Sequence, residues 1–412
     1  MAEDFGIVII GGGMTGAILA CALANTSYRV GLIEAHPFGA VDQPSYDDRS
    51  TALAYGSRRI LDSLGLWRAI VPSAVPIKTI HVSERGRFGA TRIYHHQEGI
   101  EALGFVVPNR DIGRALYAQL NGQENLEVLA PTRLQDLAIE ATHVTVTVMC
   151  KRDGVLRQRE LHCQLLIAAD GADSEVRRRL RFGITVSDYV QTAIIANVTP
   201  SRHHAYTAFE RFTDTGPIAL LPLSEGRCAL AWTHTSESAE AAMRLDDAGF
   251  LQSLQARFGY RLGCFMKIGA RRAYPLQLSI ARKMTQPRVT LIGNAAHTLH
   301  PVGAQGFNLA LRDVAQLAEL LYASSPSDPG DLSLLEHYAT SRQADLRRTV
   351  RFTDALARLF TNPFMPVSRA RAAALFALDF VPPLRHVLAQ QAMGFSGHAS
   401  RLTSGVPLQE LS

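Results

Sequence analysis

Along this chain the spacing of apolar positions changes several times, and each change marks an element. Ile7-Val8-Ile9-Ile10 is a short run without polar interruption, the pattern of a strand buried on both faces. It leads into Gly11-Gly12-Gly13-Met14-Thr15-Gly16, after which Ala17, Ala20 and Ala24 keep a predicted helix slim. A second strand, Val30 to Ile33, ends at Glu34. Ser50 to Leu66 reads as a helix, with Leu53, Ile60, Leu61 and Leu64 near helical spacing, and Asn109 to Asn121 as another. Between them, Ile77 to Val107 breaks into short strands with Ile80, Val82, Ile93 and Phe105 as inward positions. Val144, Val146 and Val148 alternate with threonines in a half-buried strand. Leu165 to Ala169 is fully apolar and stops at Asp170-Gly171. Gly183 to Ala273 is β-rich, and Val289 to Ile292 returns to the buried-strand pattern. Gly306 to Ala323 is a helix with Ala310, Val314, Leu317 and Leu321 on one face. Leu334 to Met393 is predicted helical, broken at Pro363, Pro366 and Pro382-Pro383.

Nucleotide-type segments thus stand at the start, middle and end, with β-rich stretches between them. The expected class is α/β. A Rossmann-like domain is assembled from 1–76, 108–180 and 285–336, around a β-sheet substrate domain from 77–107 and 181–284. A helical region, 337–412, follows. A length of 412 residues suits two domains, and a 47% hydrophobic fraction suits ordinary cores. Charge changes the picture only at the end. From His337 onward there are nine arginines, no lysine and four acids, leaving 33 basic against 33 acidic residues elsewhere. An arginine-only excess beside apolar stretches points to a membrane surface or an acidic partner, or else to a solvated helical face. Nothing resembles a nucleic-acid surface. The apolar run Ala372 to Val381 is about half a membrane span and carries Asp379, so no transmembrane helix is expected. No targeting segment is expected before the first strand. Five scattered cysteines make no metal spacing and no redox pair. They fit a reducing cytosol, each as a small core residue.

The chemistry begins at the glycines. Gly11 lets the chain turn, Gly13 lets a pyrophosphate touch the backbone, and Gly16 lets the helix sit close on the sheet. A phosphate there meets free N–H groups and the positive end of a helix dipole. Glu34, 18 residues after Gly16, is placed to accept both hydroxyls of an adenosine ribose. Further segments would be odd in a plain dehydrogenase. Asp48-Arg49-Ser50 offers a basic group to a phosphate or flavin. Asp170-Gly171, with Arg177 beyond it, puts a carboxylate at a strand end. Gly293-Asn294-Ala295-Ala296-His297, then Pro301, Gly303, Gly306-Phe307-Asn308 and Arg312-Asp313, joins a strand end to an amide-rich helix entrance.

Together these segments resemble the single-component FAD-dependent aromatic hydroxylases, the para-hydroxybenzoate hydroxylase class, from Gly11 to about Asp313. The resemblance implies FAD, with NAD(P)H and O2 as co-substrates. It implies cofactor contacts from Gly11, Gly13, Gly16, Glu34, Arg49, Arg110, Asp170, Asn294, Gly306 and Asn308. Arg110 reads equally as a surface arginine opening a helix. Within the class, Asp48 to Leu53 with Leu64-Gly65-Leu66-Trp67 is similar to the ubiquinone-biosynthesis hydroxylases. So are Phe212, Gly216-Pro217 and Leu221-Pro222-Leu223. Asn294, where the class usually has Asp, resembles the 2-polyprenyl-6-methoxyphenol hydroxylase branch. An asparagine carbonyl still accepts a hydrogen bond but carries no charge. The implied activity is hydroxylation of a polyprenylated phenol through a flavin C4a-hydroperoxide. The implied setting is cytoplasmic, peripheral to the inner membrane or within a ubiquinone-synthesis complex, engaged through the basic C-terminal region. A base near the phenol would help. His297 and Tyr274 are the candidates, against a local hydrogen-bonding histidine and a core tyrosine. Two other readings stand beside this one: a flavin-dependent reductase of isoprenoid lipids, and a non-catalytic escort of prenylated partners.

Overall fold

The computed structural model describes residues 3–37, 49–87, 89–152, 155–300, 302–325, 327–361, 379, 381–395 and 400–408. Asp48, Pro301, Pro363, Pro366 and most of the Ala372 to Val381 run lie outside them. Five parallel strands form the centre of the first sheet. Their order is Leu126–Leu129, Val30–Ile33, Glu3–Ile10, Val155–Ala168 and Val289–Leu291. Ile7, Ile9, Leu165, Ile167 and Leu291 are fully buried, as strands covered on both faces require. The helices Met14–Ala22, Asn109–Leu120 and Gln305–Ser324 provide that cover. The first half of Val155–Ala168 leaves this layer and pairs antiparallel with Val144–Arg152, which pairs with Thr132–Ile139.

A second, nine-stranded sheet runs in the order His297–Thr298, Arg272–Ala281, Ile184–Pro200, Cys228–Thr235, Pro217–Pro222, Thr207–Phe212, Thr79–Glu84, Ala90–Tyr94. Phe265–Ile268 is added against Ile184–Pro200. One face packs Ile194, Ile218, Leu220, Leu230 and Trp232 under Phe250, Leu254 and Phe258. Each such large side chain contributes about 1.5–3 kcal/mol by leaving water. A small antiparallel sheet, Ser50–Ala54, Gly104–Pro108 and Val75–Ile77, stands between the two larger ones. The expected segment borders cut across these pairings: position 107 falls inside Gly104–Pro108, and His297–Thr298 pairs into the second sheet.

Three local expectations are corrected. Ser50–Ala54 is a strand, and the helix begins only at Tyr55, running to Ser63. The ladder offered by Gly104–Pro108 outweighs the helical spacing of Leu53 with Ile60. In Thr79–Glu84 the buried positions are His81 and Ser83, while Ile80 and Val82 are only half-buried. His81 packs near the Phe209 ring at 5.6 Å under the helix-covered face, which leaves the apolar pair on the open side. Cys264 is exposed, whereas the other four cysteines are buried.

The C-terminal region is not a detached tail. Helix Leu332–Thr361 buries Leu335, Tyr338, Arg342, Asp345, Thr349 and Thr353. Beyond it, Met393 accepts a hydrogen bond from the Gly56 N–H at 2.8 Å, and Leu402 and Leu408 join the main core.

Candidate active site

Strand register builds the site. Ile33 pairs with Ile10, Ile10 with Ala168, and Ala168 with Leu291. The residues that follow, Glu34, Gly11, Ala169-Asp170 and Ile292-Gly293, therefore line one carboxyl edge, where open α/β sheets hold ligands. At about 4.8 Å per strand this edge is roughly 14 Å long.

Gly11 has φ +104°, and a Cβ there would lie 2.5 Å from the Ala169 carbonyl oxygen. A Cβ on Gly16 would collide with the Gly11 carbonyl oxygen. Gly13 stands at the N-cap of helix Met14–Ala22 in extended conformation, with no side chain capping that helix. Glu34 is 7% exposed. Its carboxylate accepts the Gly12 N–H at 2.7 Å and the His36 N–H at 2.9 Å, which fixes it against the glycine turn. Asp170 Oδ2 accepts the N–H groups of Glu175 and Val176 at 2.7 and 3.2 Å. Burial pushes the Asp170 carboxyl up, against those hydrogen bonds. Its Oδ1 is buried with no partner among the described residues.

On the other side, Gly293 has φ +57° and is wedged on Thr15, so the late turn rests on the first helix. Asn294 is exposed on that turn. Asp313, wholly buried, accepts the Gly293 N–H at 3.0 Å, a proton on His297 Nε2 at 2.6 Å and the Arg342 Nε–H at 2.8 Å. Burial would raise its pKa, but His297 and Arg342 outweigh that and hold it down at about 2. Arg342 also donates to Asp345, which receives Arg312 Nε–H at 2.8 Å. His297 is thus 1% exposed and locked into a buried ion network, which corrects its candidacy as a substrate base.

The entrance of helix Gln305–Ser324 is built from strained backbone. Gly303 and Ala304 have φ +69° and +51°, and no side chain caps the helix. A Cβ on Gly306 would meet nothing within 4 Å, so this niche is open. Gln305 is 2% exposed, with Oε1 unpartnered among the described residues. The Asn308 side chain is fully committed. Its Oδ1 accepts from Ala54 N–H and Ser57 Oγ–H, and its Nδ2 donates to Ala52 and Ala304 carbonyls. This amide is the joint that fixes the helix entrance, so any cofactor contact from Asn308 would come from its backbone. The Arg49 guanidinium lies 5.3 Å from the Tyr274 ring centroid, so two residues 225 positions apart in sequence meet where the second sheet reaches the first domain. The Arg49 carbonyl accepts the Asn109 N–H, which sets exposed Arg110 beside this junction.

Sequence reasoning missed Arg177 as a tie. Its guanidinium donates to the carbonyls of Ala172 and Ala295, clamping the D-G turn to the late turn. A buried arginine one turn after a strand-end aspartate was the available signal.

A flavin dinucleotide suits these residues. The glycine turn leaves no room for side chains, Glu34 is aimed at it, and Asp170 Oδ1 and Gln305 Oε1 are buried acceptors with no donor among the described residues. The Gly306 niche is clear. Fold and site together are those of an FAD-dependent monooxygenase with the para-hydroxybenzoate hydroxylase type of architecture. Residues 4–353 match the family described as FAD binding domain, and the chain belongs to it. Among curated relatives, the ubiquinone hydroxylase UbiL of Rhodospirillum rubrum is 36% identical, over 98% of this chain and 93% of its own. The ubiquinone hydroxylase UbiM of Neisseria meningitidis is 30% identical, over 94% and 84%. The crystal structure of p-nitrophenol 4-monooxygenase PnpA from Pseudomonas putida has a similar fold. Its TM-score is 0.79 at 18% identity, covering 97% of this chain and 100% of that one.

Proposed function

We propose that this enzyme hydroxylates the ring of a polyprenylated phenol in ubiquinone biosynthesis. The observation that carries the reading is the junction of Arg49 with Tyr274, which brings the half-open face of the second sheet to the cofactor side. The near-full-length similarity to ubiquinone hydroxylases supports the substrate class. Bound FAD would supply reduction by NAD(P)H and activation of O2.

The chain's own residues do the rest. Backbone N–H groups of Gly11, Gly13 and Gly16 would hold a pyrophosphate, and Glu34 the ribose hydroxyls. Asp170 Oδ1 and the Asn294 carbonyl are acceptors for further hydroxyls. Arg49 and Arg110 supply positive charge, and amides at the Gly306 helix entrance favour the negative charge of the reduced cofactor. With a polyprenylated phenol laid on it, the apolar sheet face would keep water from the reacting centre. Among the described residues no helix is long and apolar enough to cross a membrane. Exposed Arg347, Arg348 and Arg351 on helix Leu332–Thr361 suit peripheral contact with acidic headgroups.

The test is oxygen uptake by the purified yellow enzyme with NAD(P)H and a short-chain prenylphenol. The expected result is uptake matched one to one by a product with one added hydroxyl. Uptake that yields only hydrogen peroxide, at the same rate with or without the phenol, contradicts the reading.

A further inference from the structure

The two faces of the second sheet are unlike. Opposite the sealed helix side, register aligns Glu210 with Ala219, Ala219 with Ala231, and Ala231 with Ile195 across four adjacent strands. All four keep partial exposure, while the residues between them on these central strands, Ile218, Leu220, Leu230, Trp232 and Ile194, are sealed. Tyr274, paired with Ala193, shares this face and lies against Arg49. Ala219, Ala231 and Ile195 make this part of the face apolar while leaving it partly exposed.

Glu210 does not belong on such a wall for structural reasons. It lies between buried Ala208 and Phe212 on its own strand and is flanked by Val82 and Ala219. Among the described residues its carboxyl has no hydrogen bond and no ion pair. One register row away on the same face, Ala208, Ile80, Leu221 and Ala229 pack against the apolar Ile77 and Val106 of the small sheet. The nearest titratable position on this face is Glu84, opposite Phe212, which has the same charge sign. Burial alone pushes the Glu210 carboxyl up to about 7. Glu210 is nonetheless partly accessible, as are Ala219, Ala231 and Ile195 beside it in register on this face. An unpaired carboxylate in an apolar wall costs stability, and such a cost without a structural return marks a working group.

We propose that Glu210 receives the phenol O–H of the aromatic substrate and acts as its base. The assignment rests on the phenol-hydroxylase reading. The phenol O–H bond breaks, its proton passes to a Glu210 carboxylate oxygen, and the electron pair stays on the phenol oxygen. The ring is then richer in electrons where oxygen is inserted. As aromaticity returns, the ring carbon gives its own proton to water and its C–H electron pair to the ring, and Glu210 gives its proton back to the phenol oxygen. A base that titrates near working pH suits this exchange.

The experiment compares wild-type holoenzyme with Glu210→Gln and Glu210→Asp, using a short-chain prenylphenol as probe. Glu210→Gln is expected to keep its full complement of FAD but lose the ultraviolet phenolate band of the bound probe. Its kcat should fall by about 10²-fold or more, and the rising limb of the pH profile near 7 should vanish. Glu210→Asp, which keeps a carboxylate at shorter reach, should retain part of the band and of the rate. It also serves if the glutamine variant fails to fold. Wild-type rate, band and pH profile in Glu210→Gln would overturn the role of Glu210 while leaving the hydroxylase reading intact. A wild-type enzyme that hydroxylates no phenol would overturn the reading beneath it.

Discussion

At Gly16 the space for a side chain is already taken by the Gly11 carbonyl oxygen. Gly16→Ala must push the first helix off the turn, a strain of about 1–3 kcal/mol that falls where the pyrophosphate would sit. The expected outcome is a folded protein that binds FAD roughly tenfold or more weakly, read from visible absorbance after gel filtration. Asn308 works differently, because its amide is spent on four protein partners. Asn308→Ala leaves buried donors and acceptors unmet and should destabilise the fold by at least about 2 kcal/mol in denaturant titration. A variant as stable as wild type would mean that the helix entrance is held by other contacts. Glu34 and Gly16 could be read from sequence because their chemistry is local, set by a turn and the strand beside it. Glu210 could not, since its meaning depends on strand register, and Arg177 was visible one turn after Asp170 only as a position, its tie to the distant Ala295 turn being invisible.

Helix Leu332–Thr361 belongs to the cofactor domain by its charges. Arg342 joins Asp313 to Asp345, and Asp313 in turn holds the Gly293 turn and His297. Arg342→Met leaves buried Asp313 with His297 alone and Asp345 with Arg312 alone as charge partners, a loss of up to about 3–5 kcal/mol. Cutting the chain after Leu335 should therefore release FAD, where a detachable tail would leave it bound. The acid limb of stability carries the same network. Asp313 has its pKa lowered from 3.8 to about 2, so its contribution is complete above 3.8 and is lost as pH falls toward 2. Asp313→Asn should flatten that part of the curve, measured by thermal melts at stepped pH. The arginine excess alone made this region look like a surface device. Alternation of charge with apolar residues cannot distinguish a solvated arginine from one paired inside.

Across the whole molecule, buried titratable groups set opposing slopes. Burial lowers His81, His234 and His300 to about 4, so the folded state stays neutral where the unfolded chain would be protonated. Stability from these groups is intact above 6.5 and falls as pH drops toward 4. Glu210, raised to about 7, acts the other way, and its contribution is lost as pH rises through 7. With three histidines against one carboxyl, thermal melts should rise as pH climbs from about 4 and level off above about 7, and a curve still rising at pH 9 would contradict these assignments. The parallel sheet and its order of nucleotide segments were legible, because runs such as Ile7 to Ile10 and Leu165 to Ala168 are apolar throughout. The Ser50–Ala54 strand was not, because its partner lies 50 residues away in the pairing of Ala54 with Gly104. Oxygen transfer to a phenol ring is the central step of the proposed chemistry, and isotope labelling reads it directly. Under 18-O2 with NAD(P)H and a prenylphenol, the account predicts one 18-oxygen atom in the new hydroxyl. A product whose added oxygen comes from water, or one that gains hydrogens and no oxygen, would contradict it.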